Sequence, residues 1–85
     1  MITYKYVISD RQGLHATNAM SLCRAACGYE SSIYLKSGKK TADCKNVLSL
    51  MSLGARQGES LELEVEGPDE VQAAGFLKGL VRTIL

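Results

Sequence analysis

The sequence contains no block of basic residues, no long apolar run and no paired cysteine framework, and each absence removes a class of function. Ten Lys+Arg stand against nine Asp+Glu, a net charge of +1, so a surface built to bind nucleic acid or an anionic membrane is not expected. No apolar stretch approaches the ~18 residues that a membrane-spanning helix needs. The first residues, "MITYKYVISD", lack the basic-then-apolar organisation of an export signal, so the expectation is a cytoplasmic protein. Cys23, Cys27 and Cys44 are an odd number of cysteines, which favours reduced thiols over a disulfide scaffold. Cys23 and Cys27 have the i, i+4 spacing of two metal ligands on one helical face, but no second closely spaced pair follows. Neither a metal nor another cofactor is therefore expected, and Cys23 and Cys44 read as small buried hydrophobes. No linker, repeat or low-complexity stretch interrupts the 85 residues, so one domain over 1–85 is expected.

What is present is a clear succession of periodicities. Residues 2–8, "ITYKYVI", are β-branched and aromatic and predict a strand. From Ala16 to Cys27, Ala19, Leu22, Cys23 and Ala26 recur at helical spacing, and Gly28 is placed to end that helix in a left-handed conformation. "SIYLKSGKKTADC" predicts a hairpin, with Ile33 and Leu35 on one inward face and Ala42 and Cys44 on the other. Asn46 is a good N-cap for "VLSLMSL", a short helix closed by Gly54. Leu61, Leu63 and Val65 then alternate with Glu62, Glu64 and Glu66 in a half-buried strand. Beyond Gly67-Pro68, Asp69 and Gln72 have the spacing of a capping box, and Ala74, Leu77, Leu80 or Val81, and Ile84 form the core stripe of a last helix. The order β-α-β-β-α-β-α predicts an α+β fold, a four-stranded antiparallel sheet covered on one face by three helices.

The one histidine, His15, falls at the start of the first helix, within "GLHATNAM", and no arginine or lysine lies within three residues of it. A helix start presents unpaired amide donors and a partial positive charge, which favour a bound or covalently attached phosphate and disfavour a second positive charge on the imidazole. A neutral imidazole keeps one free nitrogen able to take a phosphoryl group. The outline is that of a phosphoacceptor.

"GLHATNAM" resembles the active-centre segment of HPr, the histidine-containing phosphocarrier of the bacterial phosphoenolpyruvate-dependent sugar phosphotransferase system. "KNVLSLMSLGARQGESLELEVEGPDE" resembles that family's second signature region, and the likeness extends over essentially the whole chain. The resemblance implies the HPr-like open-faced β-sandwich. It implies that His15 accepts a phosphoryl group from enzyme I and passes it to a sugar-specific enzyme IIA, as a carrier and not a multiple-turnover enzyme. It also implies docking through Met20, Arg24, Val47, Leu48 and Met51, and a monomer. Independently, the helix "VLSLMSL" is apolar nearly all round and cannot bury every face, so Leu50 and Leu53 are expected inward and Leu48 and Met51 outward.

Two departures stand out. After the histidine the family pattern reads small residue, arginine, proline; here those places hold Ala16, Thr17 and Asn18. A phosphohistidine is strongly anionic, and Thr17 supplies one hydroxyl and no charge. Ala16, Thr17 and Arg56, the last in the loop "GARQG", are the candidates for holding the phosphate. At residue 46, where some members carry a regulatory serine, Asn46 keeps the helix cap and accepts no phosphate. Two readings remain open: a phosphocarrier, or a diverged regulatory binding module acting through the 47–51 patch with little phosphotransfer. A metal- or redox-responsive domain using Cys23, Cys27 and His15 is a third.

Overall fold

Successive side chains of a strand face opposite sides, so Leu61, Leu63 and Val65 must share one side of whatever sheet they join. The computed structural model describes all residues, Met1–Leu85, and buries these three together. Its elements are β1 (Ile2–Val7), α1 (Ala16–Ala26), β2 (Ser32–Ser37), β3 (Lys40–Asp43), α2 (Val47–Ser52), β4 (Ser60–Glu66) and α3 (Glu70–Ile84), the predicted order. The strands lie in the order β1-β4-β2-β3, and every pairing is antiparallel.

The register explains why one face is covered and the other bare. Tyr4 stands opposite Leu63, Leu63 opposite Leu35, and Leu35 opposite Ala42, an apolar row running across all four strands. Together with Leu22, Leu50, Leu77 and Val81 from the helices, this face builds the core. One residue along, Lys5, Glu62, Lys36 and Thr41 form the corresponding row on the other side. Alternating charges face water there, and Lys36 pairs with Glu64 at 3.0 Å. The open-faced sandwich follows from this division of polarity.

Four local expectations are corrected. β1 ends at Val7, although Ile8 continues the ladder through its amide to the Glu59 carbonyl at 3.0 Å. Gly28 does not adopt a left-handed conformation. The helix tapers instead: the amides of Gly28 and Tyr29 donate to the carbonyls three residues back, so no positive φ is required. The capping box at α3 does not form, because Asp69 stands at the N-cap but makes no side-chain cap bond. In the core stripe of α3, Ala73, Ala74, Leu77 and Val81 are buried, whereas Leu80 and Ile84 only pack against its margin.

Asp69 is used elsewhere. Its carboxylate accepts hydrogen bonds from the Glu30 and Ser31 amides, both at 2.9 Å, and from the Ser31 hydroxyl. The turn into α3 is thereby tied to the connection between α1 and β2. The Ser31 hydroxyl, followed by the Glu30 amide, holds the Asp69 carboxyl below its ordinary value of 3.8. A depressed carboxylate stabilises the fold above its unfolded value, and that contribution is lost as pH falls through the folded one. Asp69→Asn is expected to lower the melting temperature at neutral pH. The difference from wild type should shrink as the pH falls below the ordinary carboxyl range, which thermal melts across pH will show.

Candidate functional site

The segment before α1 must turn sharply, and Gly13 makes the turn at φ +66°. The space is as tight as the backbone is unusual. A Cβ at Gly13 would overlap the Ala55 carbonyl oxygen and stand 2.8 Å from the Arg56 Cα. The Leu14 amide donates to the same Ala55 carbonyl at 2.9 Å, locking the "GARQG" loop against the turn. Only glycine fits there.

His15 follows in extended conformation and is the N-cap of α1. The Thr17 amide donates to His15 Nδ1 at 3.3 Å, and the His15 carbonyl accepts the Ala19 amide at 2.8 Å. An amide can donate to Nδ1 only if that atom keeps its lone pair, so the ring proton of the neutral imidazole resides on Nε2. The nucleophilic nitrogen therefore faces the first-turn amides. Among these, Ala16 N–H has no partner within the protein. A phosphoryl group on Nδ1 would bring its oxygens to these donors. The ring is half-buried, and Ala16 and Thr17 beside it are exposed, so the site opens outward from the helix start.

Asn18 holds this arrangement together, and sequence reasoning missed it. It is 4% exposed, one of only two buried polar side chains. Its Oδ1 accepts the His15 amide at 2.7 Å, and its Nδ2 donates to the Gly13 carbonyl at 2.8 Å and the Ile84 carbonyl at 3.4 Å. The legible signal is its place three residues after the N-cap, where a side-chain acceptor can bond back to the cap amide.

The remaining predicted residues fall into two groups. Arg56 is exposed, with its backbone against Gly13. Its guanidinium makes no ion pair, since the ion pairs present are those of the N-terminus with Glu70 and of Lys36 with Glu64. Ala16, Met20 and Arg24 follow one another at i, i+4 and i+8 along the exposed side of α1, leading away from His15. On α2, Leu50 and Leu53 are buried, Val47 is half-buried, and Leu48 and Met51 are 72% and 45% exposed, as expected. Asn46 caps that helix by accepting the Leu48 and Ser49 amides at 3.0 and 3.1 Å.

The cysteines lie apart from this chemistry. Cys44 is fully buried, and burial pushes its thiol up to about 12. Burial also raises Cys23, which is half-buried, while Cys27 is exposed. No group of three His, Cys, Asp or Glu residues comes together with the geometry of a metal site. No helix is long and apolar enough to cross a membrane.

Comparison with known proteins gives the fold a family. Residues 2–83 match the family described as the PTS HPr component phosphorylation site. The chain is 37% identical to phosphocarrier protein HPr of Lysinibacillus sphaericus over 81 residues, covering 95% of this chain and 92% of that protein. It superimposes on the histidine-containing phosphocarrier protein of a Mycoplasma with a TM-score of 0.94 at 26% identity, covering 99% of this chain and 97% of the other. With HPr of Thermoanaerobacter tengcongensis the TM-score is 0.91 at 31% identity, with 99% and 94% covered. With its fold and residues 2–83 of its sequence both in agreement, the chain belongs to the HPr family, phosphocarriers of the phosphotransferase system rather than multiple-turnover enzymes.

Proposed function

We propose that this protein accepts a phosphoryl group from enzyme I on Nδ1 of His15 and passes it to an enzyme IIA-type protein, acting as a cytoplasmic monomer. The observation that carries this reading is the Thr17 amide on Nδ1, a long contact that marks this nitrogen as unprotonated and places its lone pair at the helix start, from which it must be released to react. In the forward step the Thr17 amide lets go of Nδ1, whose lone pair forms the N–P bond as the donor's bond to phosphorus breaks, and the freed amide can then donate to a phosphate oxygen. The second step reverses this toward the acceptor. Amides of the first turn, the Thr17 hydroxyl and the Arg56 guanidinium are the groups proposed to hold the phosphate oxygens. Met20, Arg24, Val47, Leu48 and Met51 are proposed as the surface on which both partners dock in turn, because carriage needs one exposed face that each can occupy.

A second reading, a binding module with little transfer, is favoured by one fact: Thr17 and Asn18 leave the first turn without a guanidinium. The relay itself separates the two. Wild-type protein loaded by enzyme I is expected to lose its phosphate to enzyme IIA, and Leu48→Asp or Met51→Asp to lose binding to both partners by at least about tenfold, ~1.4 kcal/mol, with an unchanged melting temperature. Isothermal titration with each partner and a phosphate chase measure these outcomes. Binding without any chase would establish the module reading, and a variant that unfolds would place its side chain in the core.

A further inference from the structure

We infer, resting on the phosphoacceptor reading of His15, that Asn18 is the positioning residue that decides which imidazole nitrogen receives the phosphoryl group. The family pattern has a proline at this place, whose ring restricts the backbone by itself. Asparagine has no such stiffness, and Gly13 two residues before the histidine leaves the incoming chain free to swing. Asn18 answers both with one carboxamide. Its Oδ1 holds the His15 amide at 2.7 Å and its Nδ2 holds the Gly13 carbonyl at 2.8 Å, so both ends of the Gly13–His15 turn are clamped from inside α1. The second Nδ2 hydrogen reaches the Ile84 carbonyl at 3.4 Å, anchoring the clamp to the last turn of α3. Every polar hydrogen of the side chain is engaged, and the residue is buried.

The clamp matters because the contact it protects is weak. The Thr17 amide reaches Nδ1 at 3.3 Å, at the long end of a hydrogen bond. A modest rotation of His15 breaks it and frees the ring to carry its proton on either nitrogen. Asn18 therefore holds His15 in the backbone conformation, φ −132° and ψ −178°, from which Nδ1 meets the amide. Without the clamp, Nε2 becomes a competing nucleophile.

Phosphoramidate tests this without any partner protein. The long Thr17 contact opens, the Nδ1 lone pair attacks phosphorus, the P–N bond of phosphoramidate breaks, and its nitrogen, already protonated, leaves as ammonia while the Nε2 proton stays on the ring. In wild type, the imidazole nitrogen shifts measured by NMR are expected to show Nδ1 unprotonated, and loading is expected to give Nδ1-phosphohistidine. Folded Asn18→Ala is expected to average the two tautomers and to lose about tenfold in the ratio of Nδ1 to Nε2 product, the ratio set by ~1.4 kcal/mol. Asn18→Pro, the family residue, is expected to restore both. Unchanged tautomer and unchanged product ratio in Asn18→Ala overturn the inference. If that variant does not fold, Asn18→Leu, which keeps the volume and loses both the acceptor for His15 and the donor to Gly13, gives the same test, and the same null result there is equally decisive. A wild type that takes no phosphate, with a tautomer still governed by residue 18, overturns the phosphocarrier reading while upholding the positioning role.

Discussion

Gly13→Ala is expected to lower the melting temperature by about 10–20 °C, the consequence of ~3 kcal/mol of lost stability in a domain of this size. Two effects act at once. The left-handed backbone, φ +66°, disfavours any side chain by about 1–2 kcal/mol. The added methyl must also displace backbone, the Ala55 carbonyl and the Arg56 Cα, where a flexible side chain would have given way. Gly38→Ala separates the two contributions. Gly38 has nearly the same φ, +59°, but open space around it, so only the conformational part, about 1 kcal/mol, is expected there. Differential scanning calorimetry of the two variants measures the difference. A Gly13→Ala protein that melts with Gly38→Ala would show that the loop over the turn yields freely.

Thr17→Arg is expected to accelerate loading from enzyme I by up to about a hundredfold, because a charged donor to an anionic group contributes about 1.5–3 kcal/mol. Residue 17 lies in the first turn with its amide on the histidine ring, so a guanidinium there starts from the right place. The wild-type protein has Arg56 instead, its backbone against Gly13 and its side chain without an ionic partner. Arg56→Ala is accordingly expected to slow transfer about tenfold, near 1.4 kcal/mol, and Thr17→Arg to restore it in that background. Rapid-quench kinetics with enzyme I and phosphoenolpyruvate read both changes. Equal rates for wild type and Arg56→Ala would make Arg56 a solvated loop residue and favour the module reading.

Features governed by near neighbours in the chain are legible in the amino-acid sequence alone. The alternation of Leu61, Leu63 and Val65 gives β4 its inward face, and Asn46 marks the start of α2 through its own amide contacts. Leu48 and Met51 point outward by a geometric limit, since a short helix on one sheet cannot hide every apolar residue. The features that escape such reasoning share a different cause. Asp69 has a good local use as a cap, yet its carboxylate bonds to Glu30 and Ser31, nearly forty positions earlier. Asn18 reads as the loss of a proline, while its value lies partly in Ile84, at the far end of the chain. Nothing in a local pattern shows such partners, because the competing contact exists only once the fold has formed. The approach of Arg56 to the histidine turn follows from family resemblance and not from spacing.

Phosphoryl carriage by His15 is the central claim, and one measurement reaches it directly. The protein is incubated with enzyme I and labelled phosphoenolpyruvate, and the phosphorylated residue is then identified by mass spectrometry under alkaline conditions. One acid-labile phosphate on His15 is expected, with complete loss of label in His15→Ala, a variant expected to stay folded although it gives up the Thr17 cap contact. Label that survives His15→Ala, or that resists acid, would contradict the claim.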